Sequence, residues 1–133
     1  MAKKILIVDD EKDFIDTLAE RLTAKGFKII EAFNGKDGLE KAHTEKPDMI
    51  LLDIIMPEMN GYDVCRKLKI DENYKNIPII MLTAKFQPND VEFGKEMGAD
   101  AYLTKPLELT ALSHKINALL RLRKKNRKNN WQI

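Results

Sequence analysis

Apolar residues along this chain fall into short unbroken runs separated by stretches of helical spacing. Ile5 to Val8, Met49 to Leu52 and Ile79 to Leu82 are continuous apolar runs, as expected of strands buried on both faces. Phe27 to Phe33 interleaves Lys28 and Glu31 with Ile29 and Ile30, which suits a partly exposed edge strand, and Ala101 to Thr104 reads as a fifth strand. Between the strands, Phe14, Ile15, Leu18 and Leu22 recur at helical spacing until Gly26 stops them. Asn34 is suited to cap a second helix carrying Leu39 and Ala42 and ending before Pro47. Asn60 can cap a third over Gly61 to Leu68, and a short, weakly apolar fourth helix follows Pro88 and ends at Gly98. Leu109, Leu112, Ile116, Leu119 and Leu120 mark the apolar face of a closing fifth helix. Strand and helix alternating five times predict an α/β fold, a parallel sheet covered by helices on both faces.

The remaining bulk properties narrow the setting. A chain of 133 residues, 44% hydrophobic and 33% charged, fits one globular domain. No apolar run approaches the roughly 20 residues that span a bilayer, and Met1-Ala2-Lys3-Lys4 leads straight into the first strand, so a cytoplasmic protein is expected. The lone Cys65 lies on a helical face with Val64 and Leu68 and reads as a buried small residue. His43 and His114 have no partner at metal-ligand spacing. The net charge of +2 defines no partner, but Arg121 to Lys128 concentrates positive charge. We expect one domain over residues 1–122 and a basic tail over 123–133. Cations favour a helix C-terminus, so the tail reads as a solvated helix end and nucleic acid is not an expected partner. Trp131 and Ile133 are unusual on so polar a segment.

Polar residues interrupt the apolar pattern at the strand ends, where open parallel sheets bind ligands. Asp9 and Asp10 follow the first strand, Asp53 ends the third, Thr83 the fourth, and Lys105 follows the fifth. Taken singly, each has an ordinary structural use: Asp as a helix cap, Thr as a strand former, Lys before Pro as a solvated turn. Their coincidence on one rim is what points to chemistry. Three converging carboxylates repel one another unless a hard divalent cation such as Mg²⁺ joins them. A metal-neutralised acidic site with a lysine can receive a phosphate, and one of its carboxylates can act as a nucleophile to form an acyl phosphate.

Four segments carry a family resemblance: Val8-Asp9-Asp10-Glu11, Asp53-Ile54-Ile55-Met56-Pro57-Glu58-Met59-Asn60-Gly61, Leu82-Thr83-Ala84, and Gly98-Ala99-Asp100-Ala101-Tyr102-Leu103-Thr104-Lys105-Pro106. In that order, and from about Lys4 to Leu122, the chain resembles the receiver domains of two-component response regulators, single-domain chemotaxis regulators included. The resemblance implies a doubly wound, flavodoxin-like (βα)5 fold with strand order 2-1-3-4-5. It implies Asp53 as the phosphoacceptor, and Mg²⁺ held by Asp9, Asp10, Asp53 and the backbone carbonyl of Ile55. Lys105 would contact the phosphoryl group, Thr83 would be the switch hydroxyl and Tyr102 the switch aromatic, with a cis Lys105–Pro106 bond. Ala84 would leave the donor room, and the aliphatic Ile55 would hinder attacking water, the second variable position being Lys85. Leu107 stands where the family often has phenylalanine. The implied role is a signalling domain, not an enzyme in its own right, that promotes its own phosphorylation and dephosphorylation. Its donor would be a sensor histidine kinase or a histidine phosphotransfer protein. Its output would be a downstream protein or a second copy, bound through the fourth helix, fifth strand and fifth helix, roughly Asn89 to Leu120.

Two other functions fit the layout less well. An aspartyl-phosphate phosphatase of the haloacid dehalogenase type resembles this chain in its nucleophilic Asp, but it carries a second Asp two residues on, where Ile55 cannot move protons. A flavodoxin-like FMN module needs a hydroxyl- and glycine-rich phosphate loop, where this chain has Asp9-Asp10-Glu11.

Overall fold

The computed structural model describes residues 2–84 and 97–131, with side chains described as far as Arg123. The helix expected after Pro88 falls outside them, as do Lys85, Ile133 and the side chain of Trp131. The strands are β1 (Lys4–Val8), β2 (Lys28–Ala32), β3 (Met49–Asp53), β4 (Ile79–Thr83) and β5 (Ala101–Thr104). They form one parallel sheet in the order β2-β1-β3-β4-β5, as the pattern and the resemblance imply. The described helices are α1 (Lys12–Ala24), α2 (Gly35–Glu45), α3 (Gly61–Lys69) and α4 (Leu109–Trp131), the last being the closing helix of the sequence pattern. None is long and apolar enough to cross a membrane.

The two-residue period of a strand divides the core. Leu6, Val8, Ile50, Leu52, Ile79 and Met81 face α2 and α3, packing with Ala42, Val64, Cys65 and Leu68. The alternate residues Ile5, Ile7, Met49, Leu51, Ile80 and Leu82 face α1 and α4, packing with Ile15, Leu18, Leu22, Leu112 and Ile116. The three central strands therefore read as unbroken apolar runs, because both faces are covered. β2 at the edge keeps Lys28 exposed and Glu31 half-buried.

Local signals set the boundaries. The Asn34 and Asn60 side chains accept the backbone N–H of Asp37 and Asp63, capping α2 and α3. Gly26 takes φ +97° just after α1, a conformation that a side chain resists. Cys65 is fully buried, as expected, and burial pushes its thiol up to about 11, leaving it unreactive at neutral pH. His43 packs against Tyr74 with the rings tilted by 52° and their centroids 4.5 Å apart. α4 continues beyond Leu122 without a break, and Arg123 Nη1 donates to the Asp48 carbonyl at 3.0 Å.

Leu51 is fully buried in the central strand, whereas Leu122 is 54% exposed. Urea unfolding should show Leu51→Ala costing about 2–5 kcal/mol. Leu122→Ala should stay within about 0.5 kcal/mol. Equal costs would contradict the two-faced core.

Candidate functional site

Register builds the site. Val8 pairs with Leu52, so the next residues, Asp9 and Asp53, stand side by side at the carboxyl edge. Asp53 pairs with Leu82 and Thr83 with Thr104, which brings Thr83 and Lys105 to the same edge. The Lys105 N–H donates to the Thr83 carbonyl at 2.6 Å, carrying the ladder one residue past β5. The Lys105–Pro106 bond is cis, as the resemblance implies.

One oxygen from each of Asp9, Asp10 and Asp53 lies within 4.8 Å of the others. Asp9 is fully buried, Asp53 is 5% exposed, and Asp10 is open to solvent. Asp10 does not serve as a helix cap: α1 begins after Glu11 and has no side-chain cap. Asp9 Oδ1 instead accepts the Glu11 N–H at 2.8 Å, which holds that carboxylate in place. Lys105 Nζ donates to Asp9 Oδ2 at 2.7 Å and stands 3.7 Å from Asp53 Oδ1 and 3.5 Å from Glu11 Oε1. The same ammonium lies 4.2 Å from the centre of the Phe14 ring.

The loop after Asp53 is shaped by close backbone contacts. The Ile54 N–H donates to the Leu82 carbonyl, and the Gly61 N–H to the Ile54 carbonyl at 2.8 Å. A Cβ at position 61 would stand 2.2 Å from the Asp53 carbonyl oxygen, so only glycine lets α3 begin directly beneath the site. Ile55 is 70% exposed on this loop. Thr83 is buried at the end of β4, and Ala84 is exposed beside it. Tyr102 is half-buried against the α2–α3 core, with its hydroxyl 2.7 Å from that of Tyr62.

The electrostatics follow from this crowding. Burial, reinforced by the neighbouring Asp9, raises Asp53 from its ordinary 3.8 to about 6. Burial also raises Asp9, against the pull of its bond to Lys105. Burial opposes the charge on Lys105, but its bond to Asp9 and the nearby Asp53 outweigh that and move it upward, so the ammonium is retained. Lys105 is the one cation facing three carboxylates among the described residues, and the raised Asp53 registers the shortfall of positive charge. Clustered hard oxygen donors with one open to solvent suit a small divalent cation, which would make up that shortfall.

The structure brings Asp9, Asp10 and Asp53 together with Lys105, register sets Thr83 on the same edge, and Tyr102 lies on the adjoining β5. Three neighbours were not singled out from sequence. Glu11 and Phe14 contact the Lys105 ammonium, and Tyr62 meets Tyr102. Tyr62 sits one helical turn before Cys65, a spacing that could have flagged it. Phe14 was legible only as part of the apolar face of α1.

Similar proteins point to one family. The model of the response regulator receiver domain family matches residues 5–117. The chain is 42% identical over 121 residues, 91% of its length, to the alkaline phosphatase synthesis transcriptional regulatory protein PhoP of Bacillus subtilis, of which it spans half. Among solved structures it resembles a CheY-like response regulator receiver domain protein from Methanospirillum hungatei. That match has a TM-score of 0.88 and 30% identity, and covers 95% of this chain and 99% of that one. It also resembles the signal receiver domain of a histidine kinase from Syntrophus aciditrophicus, with a TM-score of 0.84, 36% identity, and 90% and 91% of the two chains covered.

The raised Asp53 makes stability depend on pH. Between about pH 4 and 6 the folded, metal-free protein keeps a proton on Asp53 that the unfolded chain releases. This stabilising contribution is complete below the ordinary value and is lost as pH rises through the folded one. Asp53→Asn, free of that loss, should match the wild type most closely near pH 4 and exceed it by up to about 3 kcal/mol above pH 6. Urea unfolding with a chelator present checks it, and a difference that stays constant with pH would contradict the assignment.

Proposed function

The chain belongs to the response regulator receiver domain family, whose known role is phosphorylation-dependent switching, and on that premise we propose that Asp53 is its phosphoacceptor. The observation that carries this reading is the buried Asp53, clustered with Asp9 and Asp10 and 3.7 Å from the Lys105 ammonium. A carboxylate oxygen of Asp53 attacks the phosphorus of a donor phosphohistidine. The P–N bond breaks as the P–O bond of the acyl phosphate forms, and the imidazole leaves with the electron pair. Mg²⁺, held by Asp9, Asp10, Asp53 and the Ile55 carbonyl, would supply positive charge at the phosphoryl oxygens. Lys105 turns from Asp9 to a phosphoryl oxygen, acting as a point charge on a flexible stem. Thr83 gives its hydroxyl to another. These groups position the donor and balance charge, which is most of what phosphoryl transfer requires.

The donor is a histidine kinase or histidine phosphotransfer protein. Exposed Ala84 leaves the approach open, and the bulk of Ile55 keeps water from the acyl phosphate, so hydrolysis is slow. Thr83, drawn to the new phosphoryl group, vacates space for Tyr102. Tyr102 then exchanges its contact with Tyr62 for an inward position. The surface around β5 and α4, within Asn89 to Leu120, changes and binds a downstream protein or a second copy. The phosphoryl group need favour one of two packings by only a few kcal/mol to do so. We also propose residues 1–122 as the switching unit, with 123–133 as a basic extension.

Intact-mass measurement after treatment with acetyl phosphate and Mg²⁺ should show one added phosphoryl group, absent in Asp53→Asn. Normal phosphorylation of that variant would falsify the reading. Asp10→Asn should weaken Mg²⁺ binding by calorimetry while leaving the fold intact. Thr83→Ala should still be phosphorylated yet show smaller NMR shifts over 97–120 on phosphorylation, and full-sized shifts there would remove Thr83 from the switch.

A further inference from the structure

Among the described residues, the ammonium of Lys105 has four neighbours: Asp9, Asp53, Glu11 and the ring of Phe14. Three of them carry charge that the proposed reaction reassigns or that water screens. Asp9, the nearest at 2.7 Å, belongs to the acidic pair that would face the cation. Asp53 becomes the acyl phosphate. Glu11 is 3.5 Å away with a side chain 66% exposed, so its hold is weak. Of these four, only Phe14 is untouched by the chemistry. It stands in the first turn of α1, half-buried and packed on the α1–α4 core, so its ring is fixed before any donor arrives. Its face meets the ammonium at 4.2 Å, well within the range where an aromatic quadrupole attracts a cation.

We propose that Phe14 is a positioning residue for phosphoryl transfer: its ring holds the Lys105 ammonium at the rim while the lysine exchanges Asp9 for the phosphoryl group. This rests on the phosphoacceptor reading above. Lys105 is a long side chain, and once Asp9 is engaged by the cation, the competing state is an ammonium swung out into water. A neutral aromatic surface restrains the lysine without competing with phosphoryl oxygens for its protons. A carboxylate in the same place would hold it too well. An aliphatic residue would fill the volume but leave the ammonium unrestrained.

The test is the rate at which acetyl phosphate with Mg²⁺ phosphorylates Asp53 in the full chain. Phe14→Leu should lower it about tenfold, with the fold and Mg²⁺ affinity retained, and Phe14→Tyr should restore it to within about twofold. A trifluorinated phenylalanine at position 14 keeps the shape but weakens the ring quadrupole, so the fold is safe and the rate should fall toward that of Phe14→Leu. In a Lys105→Ala background these replacements should change nothing further. A fluorinated ring as fast as the native one, a Phe14→Leu rate equal to the wild type, or an undiminished effect without Lys105 would each overturn the proposal. Failure of the unaltered protein to be phosphorylated would overturn the phosphoacceptor reading itself, and Phe14's role with it.

Discussion

Three carboxylates within 4.8 Å of one another repel, and the ammonium of Lys105 offsets part of that repulsion at Asp9 and Asp53. The pairing is lopsided. Lys105 is bonded to Asp9 and only near Asp53, so the residue left with the greater charge deficit is the one proposed to react. A site in this condition has affinity for positive charge and, once that is supplied, for an anion whose oxygens can share it. The same imbalance costs stability, in keeping with the rule that functional groups are held in environments that a purely structural residue would avoid.

The rest of the molecule makes this arrangement rigid. Parallel strands in register place the residues that follow them on one rim, and two apolar layers lock the register by burying alternate side chains on opposite faces. Two backbone details finish the aim. Gly61 brings α3 in under the Asp53 carbonyl, and the Lys105 N–H on the Thr83 carbonyl ties the lysine to the hydroxyl beside it. Tyr102 lies on the same strand as this tie but turns to the other core, where it meets Tyr62. A change at the rim therefore has a short physical path along β5 to the Tyr62–Tyr102 contact.

Much of this was legible in the sequence, for reasons that can be named. β1, β3 and β4 are buried on both faces and read as pure apolar runs, while Asn34 and Asn60 cap where a cap is needed. Asp9, Asp53, Thr83 and Lys105 could be placed because strand ends in a parallel sheet share an edge. Contacts that cross between elements were not legible. Nothing in the spacing of α1 tells that Phe14 meets a lysine 91 positions away, or that Tyr62 meets Tyr102. The individual alternatives are decided only by the packing at the rim. Asp10 could have been a helix cap and Lys105 a solvated turn, whereas Asp10 caps nothing and the Lys105 side chain is 11% exposed.

In the proposed switch, Lys105 is held by Asp9 at rest and released to the phosphoryl group in the active state. A crystal structure with Mg²⁺ and beryllofluoride, which mimics an aspartyl phosphate, examines that exchange directly. Beryllofluoride should sit on Asp53, with the Lys105 ammonium moved from Asp9 to one of its fluorides and the Asp9–Asp10 pair facing the cation. Beryllofluoride bound at another residue, or a Lys105 ammonium still on Asp9 with Asp53 occupied, would contradict it.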